Sequence, residues 1–209
     1  MSFLQTLQSH HFDILKEIGN IGAAHAATSL SKLMNTKVEM NVPNASLVDF
    51  QDLPNIVGGA DAEVAAVFFR FTGDSLGSMF FLTTVTDAEK FASKLIGQSF
   101  SFRADDEQVQ MGISALSELG NILVGSYLSA LSDFTGLNLQ PTVPQMVVDM
   151  AGAVVHYGVL TISEVADAAI LIETNIIEVD HRTNPINGQF FFIPDPESFP
   201  TLFEALGVS

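Results

Sequence analysis

Two short stretches hold the residue types that could do chemistry. Glu17-Ile18-Gly19-Asn20-Ile21 returns 101 positions later as Glu118-Leu119-Gly120-Asn121-Ile122, so an acid and an amide stand three residues apart twice. At about 100° per residue this spacing leaves each Glu and Asn roughly 60° apart on one helix face. A carboxamide does not titrate, so it cannot be a general base, and a lone surface Glu lacks the burial that lifts a carboxyl toward neutrality. No His, Ser or Lys stands at a spacing that would activate a nucleophile. What an amide can do is hold a water, donating one hydrogen bond and accepting another, in line with a reactive centre that another molecule supplies.

The elements that must position these residues are helices. Residues from about 10 to 34 carry apolar positions at helical spacing, with Asn35 as the stop, and a second long helix is expected from about 105 to 134. On the first, Ile14, Leu15, Ile18, Ile21, Gly22, Ala26, Ser29, Leu30 and Leu33 share one broad arc. Asp13, Lys16, Glu17, Asn20, Ala24, Thr28 and Ser31 share the other. On the second, Ser114, Ser117, Glu118, Asn121, Gly125, Ser129 and Ser132 line the polar arc. Ile18/Leu119 and Ile21/Ile122 are expected to bind the helices to the core, and Gly19/Gly120 to let them pack closely. Beyond the acid and the amide the polar face carries only small residues, a flat strip on which another protein's backbone could lie. A Gly-Asn pair inside a helix costs on the order of 1.5 kcal/mol relative to alanine, and the sequence bears that cost twice.

The duplication extends past the motif. Residues 13–43 align on 114–144 with Leu15, Glu17, Gly19, Asn20, Ile21, Leu30, Ser31, Val42 and Pro43 recurring identically, and Gly77–Leu82 echoes Gly188–Ile193. Strands are expected at Lys37–Val42, Val64–Phe71 and Gly77–Thr83, then a helix over Thr86–Ile96 closed by Gly97. The second unit repeats the pattern, with strands near Asn138–Val143, Ala153–Ser163, Ala168–Ile177 and Gln189–Ile193 and a last helix over Pro196–Leu206. The result is an α+β chain with a pseudo-twofold internal repeat: an antiparallel sheet of mixed strand order, two long helices on one face, and shorter helices. We expect one domain over 1–209, made of two fused repeats at about 10–100 and 105–209.

Composition narrows the partner. With 209 residues, 47% of them hydrophobic, the chain can bury a sizeable core, and with no cysteine it has no disulfide, thiolate nucleophile or thiolate zinc site. His10, His11, His25, His156 and His181 lack metal-ligand spacing, so no metal is expected to be bound by this chain. A net charge of −16 argues against nucleic acid and anionic membranes and for a neutral or basic protein surface. No apolar run is long enough for a membrane span and the first residues lack a basic, cleavable leader; a cytoplasmic protein is expected.

The pattern Asp or Ser, three residues, Glu, two residues, Asn stands here as Asp13, Glu17, Asn20 and as Ser114, Glu118, Asn121. With the flanking segments, GSMFF and VPQMVVDMAGAVV included, it resembles the CheC/CheX/FliY family of bacterial chemotaxis phosphatases from end to end. The resemblance implies hydrolysis of the aspartyl phosphate of phosphorylated CheY. It makes Asn20 and Asn121 the residues that orient the attacking water, Glu17 and Glu118 the partners of the active-site lysine on CheY, and Mg²⁺ a possession of CheY. It also implies binding to CheD, which enhances activity; the segment Val143–Met150, Asp149 included, is a candidate for that surface, or else a buried strand with an exposed edge. Asp13 and Ser114 are further candidates for partner contact. Because Asp13 differs from Ser114, and His25, Ala26 and Ala27 align with Ser126, Tyr127 and Leu128, the two sites need not be equal. The competing reading is a non-catalytic module that holds CheY-P or CheD. A flagellar-switch component is disfavoured, since neither an appended C-terminal switch domain nor an N-terminal docking peptide is recognisable.

Overall fold

Each long helix begins and ends at a readable signal. In the computed structural model, which describes residues 7–162, 168–179 and 185–207, helix α1 spans Ser9–Met34. It starts at a reciprocal pair between Gln8 and His11 and stops at Asn35, in the left-handed region at φ 50°. Helix α4, Asp106–Thr135, starts where the Asp105 carboxylate accepts from the Gln108 amide at 2.9 Å, and it stops at Gly136, φ 73°.

After α1 come β1 (Val38–Asn41), β2 (Ala45–Asp49), α2 (Leu53–Ile56), β3 (Glu63–Gly73), β4 (Gly77–Thr84) and α3 (Val85–Ile96). After α4 come β5 (Leu139–Pro141), β6 (Gln145–Met150), α5 (Ala151–Ile162), β7 (Ala168–Glu178), β8 (Ile186–Pro194) and α6 (Phe199–Ala205). All pairings are antiparallel, in the order β1-β7-β8-β4-β3-β5, with β2 also on β7 and β6 also on β3. β1 and β2 lie end to end along one edge of β7; β5 and β6 do the same along β3. Each half thus lends its first two strands to the third strand of the other half, and the sheet centre is the β4–β8 pair, where Phe80 faces Phe191.

The alternation of side chains separates two cores. On one face, α1, α3, α4 and α6 cover Val67, Phe69, Phe71, Met79, Phe81, Ile170, Ile172, Phe190 and Phe192. On the other, α2 and α5 with Phe50 cover Val64, Ala66, Leu82, Ala169, Leu171, Phe191 and Ile193. The long helices meet at Gly22, where an added Cβ would lie 3.0 Å from Tyr127 Cα. Leu15 and Ile18 share a small apolar cavity with Leu128 and Leu131, so α1 and α4 run antiparallel.

Several expectations change. The strand expected over Ala153–Ser163 is helix α5, seated by Ala151 and Val154; a short apolar run does not show its period, and burial decides it. Ser163 itself lies outside the described residues, as does His181. β2 and α2 were not anticipated. Ile21 and Leu33 are 39% and 43% exposed rather than core, Ile21 because it sits at the edge of its arc, only about 40° from Glu17. Ser29 is exposed as well.

Candidate functional site

The first motif stands on a helix held down by Leu15, Ile18 and Leu30, at 3%, 3% and 0% exposure. Gly19 and Gly22 are buried beside them, while Asp13 and Glu17 face solvent. Asn20 does not. It is half-buried, and its side chain closes on the backbone of the turn between β1 and β2: Oδ1 accepts from the Val42 amide at 2.9 Å, and Nδ2 donates to the Val42 carbonyl at 3.3 Å and to the Lys16 carbonyl at 3.1 Å. This amide therefore has a structural job, which the expectation of an outward-facing residue lacked.

The second motif has the same scaffold and a different environment. Leu116, Leu119 and Leu123 bury the inner face of α4, and Gly120 lies against Val67 and Phe69. Ser114, Glu118 and Asn121 are exposed, and the Ser114 hydroxyl donates to the Gln110 carbonyl at 2.9 Å. Neither the Glu118 carboxylate nor the Asn121 amide has a hydrogen-bond partner among the described residues. Past Asn121 the face is open: a Cβ on Gly125 would meet nothing within 4 Å, and Ser129 is exposed. On α1 the corresponding strip carries exposed Ala24 and Thr28.

Because the helices are antiparallel about Gly22 and Tyr127, the two motifs lie apart. At 1.5 Å per residue, Asn20 and Asn121 are displaced by roughly 10 Å along the helix pair and the two glutamates by roughly 20 Å. Asp149 belongs to neither. It lies on β6 opposite Val64, on the sheet face away from the long helices, with Oδ1 accepting from the Met150 amide at 2.7 Å. β6 is a strand along the sheet edge, as the alternative for this segment had it, but an exposed rather than a buried one, with Val143 just before it 85% exposed.

Other groups near the motifs have settled roles. Burial pushes the Tyr127 hydroxyl well above the usual phenol range, and it shares a 2.8 Å hydrogen bond with Thr174 inside the core. It is a packing residue that neither acid nor base chemistry can reach. Among the described residues no group of three or more His, Asp or Glu side chains could hold a metal ion, and no helix is long and apolar enough to cross a membrane. Sequence reasoning missed Val42; its signal was present, since Val42-Pro43 recurs as Val143-Pro144.

A family model for the CheC-like family matches residues 11–47 and 111–148, the two segments that hold the Glu/Asn motifs. Over all 209 residues, and the whole of the other chain, the sequence is 44% identical to the CheY-P phosphatase CheC of Bacillus subtilis (strain 168). The chain belongs to the CheC-like family. Among solved structures, this CheC-like chain resembles Thermotoga maritima FliY, with a TM-score of 0.73 at 18% identity over 97% of this chain and 98% of that one. It also resembles the CheX-CheY-BeF3-Mg complex from Borrelia burgdorferi, with a TM-score of 0.52 at 18% identity over 83% and 96%. At these identities the likeness establishes a shared α+β fold.

Proposed function

We propose that this protein hydrolyses the aspartyl phosphate of a phosphorylated CheY-type response regulator. The observation that carries the reading is an exposed Glu118/Asn121 pair with an uncommitted amide, on a chain 44% identical from end to end to one named a CheY-P phosphatase. The helix α4 face, flat past Asn121, lies along the regulator so that the amide reaches the phosphorylated aspartate. There it donates to and accepts from a water placed in line with the phosphorus–oxygen bond. The water oxygen bonds to phosphorus, the bond to the aspartyl oxygen breaks, and inorganic phosphate leaves with the aspartate restored. Glu118 pairs with the regulator's lysine and fixes the helix. The Mg²⁺ that neutralises the phosphoryl oxygens belongs to the regulator.

The first motif offers the same groups in another state. Asn20 reaches a phosphate only by giving up its bonds to Val42, each with a net worth of about 0.5–1.5 kcal/mol. Site two is therefore the standing site, and site one contributes a fraction of the rate. The equal element order of the halves and the sheet order, which is unchanged when the halves are exchanged, support two fused copies of one unit as the origin of the paired motifs. CheD binding with enhancement of activity belongs to the same reading, with the exposed β6 edge around Asp149 as its surface, away from both motifs.

The test is phosphate loss from a phosphorylated CheY-type regulator in Mg²⁺, with and without CheD. The variant carrying both Asn20→Ala and Asn121→Ala is expected to fall to the regulator's own rate. If that variant forms a stoichiometric complex and wild type leaves the rate unchanged, the protein is a sequestering module.

A further inference from the structure

One turn is held in two opposite ways in the two halves. Between β1 and β2, Val42 is 2% exposed. Its methyl groups lie beneath Gly19, whose added Cβ would meet Val42 Cγ2 at 3.3 Å and Ile172 Cγ2 at 3.5 Å, and its amide and carbonyl are both engaged by the Asn20 side chain. The turn is fixed to β7 on both sides, by Asn41 opposite Asn175 and by the Glu173 amide donating to the Asn44 carbonyl at 3.1 Å. Only Val42 and Pro43 lie between these anchors.

The aligned residue between β5 and β6, Val143, is 85% exposed. The space beneath Gly120 is filled from the sheet, by Val67 Cγ1 at 2.8 Å and Phe69 Cζ at 3.1 Å from an added Cβ. The base of this turn is held to β3 by the Thr142 amide donating to the Arg70 carbonyl at 2.8 Å and the Thr142 hydroxyl accepting from the Arg70 amide at 3.1 Å. No backbone group reaches Asn121 among the described residues. The same residue, valine, thus stands in at one site and out at the other.

We propose that Val42 is a latch on the first Glu/Asn motif: the valine under Gly19 holds its own backbone against Asn20 and keeps that amide off a phosphate for as long as the latch is closed, and the outward Val143 is the open form of the same turn. Displacing Val42 frees the Asn20 amide and gives the protein a second working site. The activity arm of this inference rests on the function proposed above; the state of the amide does not.

The experiment reads hydrogen exchange of the two side-chain amides in ¹⁵N-edited spectra of the full chain, together with phosphate loss in the Asn121→Ala background. In wild type the Asn20 side-chain protons exchange at least about tenfold more slowly than those of Asn121, the signature of a held amide. Val42→Ser removes apolar burial at the latch and brings Asn20 to the Asn121 rate, whereas Val143→Ser changes neither amide. Val42→Ala, a milder truncation, gives an intermediate value and serves if the serine variant unfolds by circular dichroism. With Asn121→Ala present, Val42→Ser raises phosphate loss severalfold and adding Asn20→Ala returns it to baseline. Equal exchange of the two amides in wild type overturns the latch, as does an Asn20 that stays protected in both folded Val42 variants. A freed Asn20 with no gain in rate, while Asn121→Ala alone does lower the rate, also overturns it. If Asn121→Ala leaves the wild-type rate unchanged, the phosphatase reading fails instead, and the exchange data alone decide the latch.

Discussion

Asn20 and Asn121 hold the same place in two copies of a motif, and one amide makes three hydrogen bonds where the other makes none among the described residues. Their substitutions should separate accordingly. Asn20→Ala leaves the Val42 amide and carbonyl without partners in a half-buried turn, and thermal or denaturant unfolding should show a loss of about 1–2 kcal/mol. Asn121→Ala touches nothing in the fold and should leave stability within about 0.5 kcal/mol of wild type. His11 adds a pH signature. Its Nδ1 accepts from the Gln8 amide at 2.9 Å, and burial with His10 alongside pushes its pKa down. A folded-state value below the unfolded one means this contribution is whole above the ordinary histidine value and is lost as pH falls through the folded one. Denaturant midpoints should therefore drop below about pH 6.5, and His11→Gln should flatten that part of the profile. The sequence showed that both asparagines recur on one helix face. It did not show that one is occupied, because its partner is 22 residues away and the matching residue in the other half sits in solvent.

At the scale of elements, the pair α1 and α4 sets what the motifs can present. Gly22 is where their backbones meet, with Tyr127 Cα at 3.0 Å and the Ser126 carbonyl at 3.2 Å from an added Cβ. Gly22→Ala should part the helices and cost about 1–3 kcal/mol, read as a lower melting temperature. Gly125→Ala has open space around it and should gain up to about 1 kcal/mol from helix propensity alone. If the strip past Asn121 is a docking face, the same substitution weakens regulator binding while it stabilises the fold. The long helices were legible because their periodicity runs over many turns and their stops are a left-handed Asn35 and Gly136. α5 was not, since Ala151–Ile162 is a short run, apolar at nearly every position, that shows neither a helical nor a strand period. The β1–β2 turn was passed over because its importance lies in backbone atoms, which residue identity does not report.

The whole molecule is one sheet shared by its halves. β1 and β2 pair with β7, β5 and β6 pair with β3, and β4 pairs with β8, so a lone half keeps only its β3–β4 or β7–β8 hairpin. Fragments 1–101 and 102–209 should each lack cooperative unfolding and should regain it on mixing; a fragment that unfolds cooperatively alone would contradict this interlock. The recurring Glu-Asn motifs were legible, but the exchange of edge strands between halves was not, because pairing partners about 65 to 140 residues apart leave no local pattern. The same architecture places both motifs on one helix pair and sets Asp149 on the opposite face. The measurement that tests the central claim most directly is the rate of phosphate loss from a phosphorylated CheY-type regulator in the presence of the Asn121→Ala protein. A drop of about tenfold or more with unchanged thermal stability is predicted; a rate equal to wild type would contradict it.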